Sequence, residues 1–69
     1  MKQNGDLFNN IAILRAEKKW SQQELADRVG VSRQTISSVE ANRYSPSLVL
    51  AFEIAYSFGK EIQDVFQYK

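Results

Sequence analysis

Apolar residues recur along the chain at the three- and four-residue spacing of amphipathic helices, in five short segments. Glycine, proline and asparagine residues separate these segments. The segments run from about Leu7 to Lys19, from Ser21 to Val29, from Ser32 to Ala41, from Leu48 to Phe58 and from Ile62 to Phe66. The pattern predicts an all-α fold of five short helices, in which the first helix buries Leu7, Phe8, Ile11 and Leu14.

The second and third segments carry helix start and stop signals in close succession. Ser21 and Ser32 can each cap a helix, because a serine hydroxyl accepts from the backbone N–H three residues later, and Glu24 completes a capping box with Ser21. Gly30 supplies the left-handed residue that ends the second helix. Two capped helices joined by so short a turn must cross at a steep angle, which predicts a helix-turn-helix.

The signals after the third segment are less decisive. Asn42 is expected to end the third helix, since asparagine tolerates the left-handed conformation. Either Ser45, followed by Pro46, or Ser47 can cap the fourth helix, and the sequence does not choose between them. Gly59 is expected to end that helix.

Length and composition narrow the class of protein. The chain has 69 residues, which suits one domain over residues 1–69, with residues 1–6 as a flexible N-terminal segment. It has no cysteine and no histidine, so it lacks the common nucleophile, base and metal ligands, and we predict neither an enzyme nor a metal, cofactor or small-molecule site. No apolar run reaches the roughly 18 residues that span a bilayer. These features predict a cytoplasmic protein without a membrane contact.

Charge is distributed unevenly, although the net charge is only +1. Six basic and four acidic side chains fall in residues 15–43, whereas two basic and three acidic side chains fall in residues 44–69. The mildly basic middle of the chain is compatible with a polyanionic partner, but charge alone does not identify one.

The third helix offers a polar face for reading DNA. At 100° per residue, Gln34, Ser37 and Ser38 lie opposite the apolar Ile36, and Arg33 lies at the edge of the polar face. Arginine can pair with guanine, glutamine with adenine, and serine with either base in the major groove. The alternative is an ordinary solvated helix face.

Residues around this helix are candidates for DNA phosphate contacts. Gln22 begins the second helix, where backbone N–H groups and the helix dipole favour an anion, although it can equally be a helix-favouring polar residue. Ser32, Thr35, Asn42 and Arg43 border the polar face or follow the helix.

Two charged residues fall on otherwise apolar stripes. Arg15 and Glu40 would be costly to bury alone, so we expect them to pair across the first and third helices. Their predicted role is structural: they orient the third helix without touching DNA.

These residues together resemble a known family. Ser21-Gln22-Gln23-Glu24-Leu25-Ala26, Gly30-Val31-Ser32-Arg33-Gln34-Thr35-Ile36-Ser37, Glu40 and Arg43-Tyr44-Ser45-Pro46-Ser47-Leu48 are similar to the lambda-repressor-like, Cro-type helix-turn-helix regulators, and the likeness covers about Phe8 to Phe66. The resemblance implies five helices, cytoplasmic dimers and palindromic operators. It implies base contacts from Arg33, Gln34 and Ser38, phosphate contacts from Gln22, Asn42 and Arg43, and an Arg15–Glu40 ion pair. The chain departs from the family where Asn42 replaces a usual glycine and Trp20 a common leucine.

The resulting prediction is a sequence-specific DNA-binding regulator, taken as a repressor, that inserts the helix at about Ser32–Ala41 into the major groove of double-stranded DNA. One short helix reads too few base pairs to select an operator, so a homodimer is expected. The candidate dimer residues are Val49, Phe52, Tyr56, Phe66 and Tyr68, although Phe52 and Phe66 can equally complete the core. The competing hypothesis is a protein-interaction module that keeps the helix-turn-helix shape without reading DNA.

Overall fold

The computed structural model describes residues 5–69, and this part of the chain forms five helices and one two-stranded ribbon. The helices are α1 (Ile11–Lys18), α2 (Gln22–Val29), α3 (Arg33–Glu40), α4 (Leu48–Ser57) and α5 (Ile62–Val65). The strands are β1 (Leu7–Asn9) and β2 (Phe66–Tyr68), which pair antiparallel. The prediction of five helices is confirmed, and no helix among the described residues is long and apolar enough to cross a membrane.

The ribbon is the feature that the sequence pattern did not predict. Leu7 and Phe8 lie in β1 rather than in the first helix, and Phe66 lies in β2 rather than in the last one. The register pairs Leu7 with Tyr68, Phe8 with Gln67 and Asn9 with Phe66. The expected start of the first helix is therefore four residues too early, and the expected end of the last helix is one residue too late.

The ribbon forms because the first helix begins later than its apolar stripe indicates. The Asn9 side-chain oxygen accepts from the backbone N–H of Ile11 at 3.1 Å, which meets one of the donors that a helix start leaves without an intrahelical partner. The residues before this point bond to the C-terminal strand instead. Asp6 takes part as well, donating to the carbonyl of Lys69 at 2.8 Å and accepting from its N–H at 3.0 Å. Asp6 therefore extends the backbone pairing of the ribbon. Residues 1–4 of the segment predicted to be flexible lie outside the described residues.

A single apolar core holds the helices together. It contains fully buried side chains from every helix, namely Ile11, Leu25, Ile36, Ile54 and Val65, and further apolar residues surround them. Trp20 packs against the edge of this core and stacks on Phe58 with ring centroids 5.4 Å apart. The guanidinium of Arg28 lies over the indole ring, 4.0 Å from its centroid, where the ring electrons attract its positive charge.

Serine caps set where three of the helices begin. The hydroxyls of Ser21, Ser32 and Ser47 accept from backbone N–H groups three residues later at 3.0, 3.1 and 3.1 Å. The cap of α4 is thus Ser47, which resolves the alternative with Ser45. The expected capping box at α2 is present on one side only, because the carboxylate of Glu24 accepts from Arg28 at 3.1 Å.

The two candidate cap serines of α4 provide a matched test. We expect Ser47→Ala to lower the free energy of unfolding by about 1 kcal/mol, because the N–H of Leu50 loses its acceptor. Ser45→Ala, two residues away and exposed, should leave it unchanged. Urea unfolding followed by circular dichroism measures both, and equal effects of the two substitutions would contradict the assigned cap.

Candidate nucleic-acid interface

The turn between α2 and α3 is closed by backbone geometry that glycine suits best. Gly30 has a φ of 77°, and its N–H donates to the carbonyl of Ala26 at 2.9 Å. The next residue, Val31, donates to the same carbonyl at 3.0 Å, and Ser32 then caps α3. Such a tight connection leaves α3 projecting directly from the end of α2, which is the arrangement expected of a helix-turn-helix.

One face of α3 is buried and the other is polar. Ile36 and Val39 enter the core. Arg33 and Gln34 are exposed in the first turn of the helix, whereas Ser37 and Ser38 are half-buried. Arg33 and Gln34, at the N-terminal end of α3, are therefore the best placed to reach a partner. Ser37 and Ser38 lie farther along the helix and are less accessible.

The salt bridge between Arg15 and Glu40 joins α1 to the end of α3. The Arg15 Nε donates to Glu40 Oε2 at 2.7 Å, and Nη2 donates to Oε1 at 3.2 Å. This two-pronged geometry is the strongest form of an arginine–carboxylate contact. The side chains retain 19% and 11% of their exposure, so water screens the pair only slightly. Arg15 also donates to the backbone carbonyl of Trp20 at 2.9 Å, which ties it to the start of α2.

Gln22 extends this salt bridge to the outer face of α3. Its side-chain amide donates to Glu40 Oε1 at 3.2 Å, and its oxygen accepts from Arg33 Nη1 at 3.4 Å. Because the carboxylate can only accept, the amide of Gln22 must turn its nitrogen to Glu40 and its oxygen to Arg33. A continuous line of hydrogen bonds thus runs from Arg15 to Arg33. The sequence did not predict this link, since nothing in the spacing of Gln22 and Arg33 indicates contact.

The hydroxyls of Ser32 and Thr35 form a small cluster at the start of α3. They lie 3.0 Å apart, and the Ser32 oxygen also accepts from the N–H of Thr35. Ser32 is exposed and Thr35 is half-buried. The two side chains therefore hold each other beside the exposed first turn of the helix.

Asn42 and Arg43 form the exposed end of the same surface. Asn42 adopts the expected left-handed conformation, with a φ of 60°, and its side-chain oxygen accepts from Asn9 at 3.1 Å. The N–H of Arg43 donates to the carbonyl of Ser38 at 3.0 Å, which closes the end of α3 and leaves the guanidinium at the surface.

Tyr44 also borders this surface, although it was not among the residues predicted to contact DNA. A shallow hollow of about 290 Å³ lies beside α3, lined by Ser32, Gln34, Thr35, Ser38 and Tyr44. The aromatic ring is half exposed. Its place in the loop after α3 could have been noticed from sequence, but its contact with the polar face depends on how that loop folds back.

The dimer candidates divide into an exposed set and a packed one. Val49, Phe52 and Tyr56 are exposed on α4, with Tyr56 at 87% of its full exposure. Leu48, which was not among the predicted dimer residues, is a further exposed apolar side chain on this helix. At 100° per residue, these four side chains project within about a quarter to a third of the helix circumference. We call them the α4 patch. Phe66 instead packs against the core, and Tyr68 is exposed on the ribbon.

Comparison with known proteins agrees with this geometry. Residues 11–65 match the family model described as Helix-turn-helix. An HTH-type transcriptional regulator of Methanocaldococcus jannaschii is 48% identical over 61 residues, which cover 88% of this chain and 92% of that protein. The immunity repressor protein of Bacillus phage phi105 is 31% identical over 55 residues, which cover 80% of this chain and 38% of that protein. The clp gene regulator ClgR from Corynebacterium glutamicum superposes with a TM-score of 0.73 at 28% identity, over 78% of this chain and 57% of that one.

The salt bridge provides a test of what holds α3 in place. We expect Arg15→Ala and Glu40→Ala each to lower the free energy of unfolding by about 3 kcal/mol, because each leaves a largely buried partner charge without its counterpart. The double substitution should cost less than the sum of the two, since it leaves neither charge unpaired. Chemical unfolding of the four proteins measures the coupling, and additive effects would contradict a direct interaction.

Proposed function

This chain belongs to the lambda-repressor-like helix-turn-helix family, and we propose that it represses transcription as a homodimer that binds a palindromic operator. It is a transcriptional regulator with a helix-turn-helix DNA-binding domain rather than an enzyme. The observation that carries the proposal is the outer face of α3, where Arg33 and Gln34 are exposed. A line of hydrogen bonds joins Arg33 through Gln22 and Glu40 to Arg15 on α1.

Base recognition is assigned to the residues on that face. Arg33 reaches guanine O6 and N7 through two donors, and Gln34 reaches adenine N6 and N7 through its amide. Ser37 and Ser38 lie farther along α3, and their short hydroxyl side chains contact bases that come close to the helix. In the free protein, Gln22 already accepts a hydrogen bond from the Arg33 guanidinium. Arg33 therefore loses fewer rotamers when it binds a base.

Phosphate contacts are assigned to the residues around that face. Gln22 stands at the first turn of α2, and Ser32 and Thr35 at the first turn of α3, where helix N-termini favour anions. Asn42 and Arg43 follow the C-terminal end of α3. Tyr44 joins them because its ring lines the hollow beside α3. These contacts fix the register of the protein on the duplex and leave sequence choice to the base contacts.

A second copy of the chain is assigned to the α4 patch. Leu48, Val49 and Tyr56 are large apolar side chains at 70% exposure or more. Covering them with a partner is favourable, because it removes apolar surface from water. A two-fold dimer also doubles the number of base contacts and places the two α3 helices about 34 Å apart, one turn of the DNA. The symmetry of the protein then demands a palindromic site.

Repression is favoured over activation by the likeness to a phage immunity repressor. A domain that covers an operator with α3 in the major groove excludes other proteins from the same base pairs. Because the operator lies on cellular DNA, we place the protein in the cytoplasm.

The second candidate function is a protein-interaction module without DNA binding. The net charge of +1 favours it, because phosphate-binding proteins usually gain affinity from a larger basic excess. Retention on DNA resin separates the two functions. A DNA binder is retained, and its affinity falls steeply as the salt concentration rises, because phosphate contacts release counterions. A module without DNA binding is not retained.

The assigned reading residues are tested by substitution. We expect Arg33→Ala and Gln34→Ala each to reduce discrimination by about 1–3 kcal/mol at one base pair of each half-site, because each removes a two-pronged base contact. Arg43→Ala is the matched control, since loss of a phosphate contact should weaken operator and random DNA equally and lower the salt slope by roughly one. Competition titrations against single-base operator variants measure these effects. An unaltered base preference in both α3 variants would show that another surface reads the DNA.

The assigned dimer surface is tested separately. We expect Tyr56→Glu to weaken self-association, because it places a charge in the apolar interface, and to leave the monomer folded, because Tyr56 is outside the core. Tyr68→Glu, an equally drastic change on the ribbon, is the control. Sedimentation velocity and the cooperativity of operator binding report the result. If Tyr68→Glu disrupts the dimer and Tyr56→Glu does not, the interface lies on the ribbon.

A further inference from the structure

Asn9 joins the ribbon to the C-terminal end of α3 through one side chain. Its amide nitrogen lies 3.2 Å from the carbonyl oxygen of Val39, 3.4 Å from that of Glu40 and 3.1 Å from Asn42 Oδ1. Its oxygen accepts from the N–H of Ile11 at 3.1 Å. The half-buried Asn9 therefore serves the start of α1 and the end of α3 together.

The orientation of both amides follows from their partners. The carbonyls of Val39 and Glu40 can only accept, and the N–H of Ile11 can only donate, so the nitrogen of Asn9 must face α3 and its oxygen must face α1. The atom of Asn42 that meets this nitrogen must then be its oxygen. As a result, the NH₂ group of Asn42 is turned away from Asn9, with its side chain exposed.

This outward NH₂ group lies at the edge of the surface proposed to bind DNA. Asn42 and Tyr44 line one hollow of about 320 Å³ beside β1, and Tyr44 also lines the hollow beside the polar face of α3. Arg43, which follows Asn42, is exposed as well. The NH₂ group of a side-chain amide at such a position can donate to a phosphate oxygen. The orientation matters, because a phosphate oxygen accepts hydrogen bonds and repels other acceptors.

We propose that Asn9 is a positioning residue for DNA binding, which acts by turning the NH₂ group of Asn42 outward to donate to a DNA phosphate. The inference rests on the proposed function and goes beyond it, since Asn9 lies in β1 and is 33 residues from its partner in sequence. It also gives a reason for asparagine at a left-handed position that glycine would occupy without strain. The side chain supplies a donor that glycine lacks.

Two substitutions at position 42 separate stability from binding. Asn42→Gly tolerates the left-handed backbone and should weaken binding to operator and random duplexes by about tenfold, the effect of one hydrogen bond to a charged group. The salt slope should stay unchanged, because no cation is lost. Asn42→Asp keeps an acceptor for Asn9, so its melting temperature should equal or exceed that of wild type. Its binding should nevertheless fall below that of Asn42→Gly, because a carboxylate faces the phosphate.

Position 9 is tested through its dependence on position 42. Asn9→Ser keeps a hydroxyl near the N–H of Ile11 but is too short to reach Asn42. Alone, it should weaken DNA binding about as much as Asn42→Gly does. Added to Asn42→Gly, it should cause no further loss, because the group that it positions is already absent. A residue with only a structural role would cause the same loss in both backgrounds.

The experiment is a fluorescence-anisotropy titration of the five proteins on a selected operator duplex and on a random duplex pool, at a temperature where circular dichroism shows each to be folded. Non-additive losses for positions 9 and 42 and the affinity order wild type, Asn42→Gly, Asn42→Asp support the proposal. Additive losses, or wild-type binding by Asn42→Asp, overturn it. Should Asn9→Ser fail to fold, Asn42→Asp alone decides. If wild type binds neither DNA, the proposed function itself fails.

Discussion

The position of α3 depends on the carboxylate of Glu40 and the three donors that converge on it. Two come from Arg15 and one from Gln22, so three helices meet at one anion. A carboxylate at this depth is costly unless its partners satisfy it, and here they do. Because this charge needs its partners, it favours the placement of α3 relative to α1 and α2 that keeps all three hydrogen bonds.

The same interaction links α1 and α2 to the surface proposed to bind DNA. Glu40 fixes the orientation of the Gln22 amide, because the carboxylate accepts from its nitrogen. The amide oxygen is then left to accept from Arg33. At the other end of α3, Asn9 performs a similar task for Asn42. An amide of fixed orientation therefore contacts a residue at each end of the proposed reading helix: Gln22 contacts Arg33, and Asn9 contacts Asn42. A surface prepared in this way loses little conformational entropy when it binds.

Features encoded by neighbouring residues were predictable from the sequence, whereas features created by distant pairing were not. The caps at Ser21 and Ser32 and the left-handed Gly30 and Asn42 follow from local chemistry, and the structure has them as expected. The ribbon did not follow, because a three-residue strand is too short to show an alternating pattern and its partner lies at the other end of the chain. The contacts of Gln22 with Arg33 and of Asn9 with Asn42 were missed for the same reason.

The most direct test of the account is an unbiased selection of bound duplexes from a random DNA library, using the wild-type chain. The central claim is that a firmly held α3 reads the major groove in a two-fold pair. It predicts enrichment of one short half-site, repeated in inverted orientation with centres about 10 base pairs apart. Recovery of random sequences by wild type, or of a single half-site without an inverted partner, would contradict the claim.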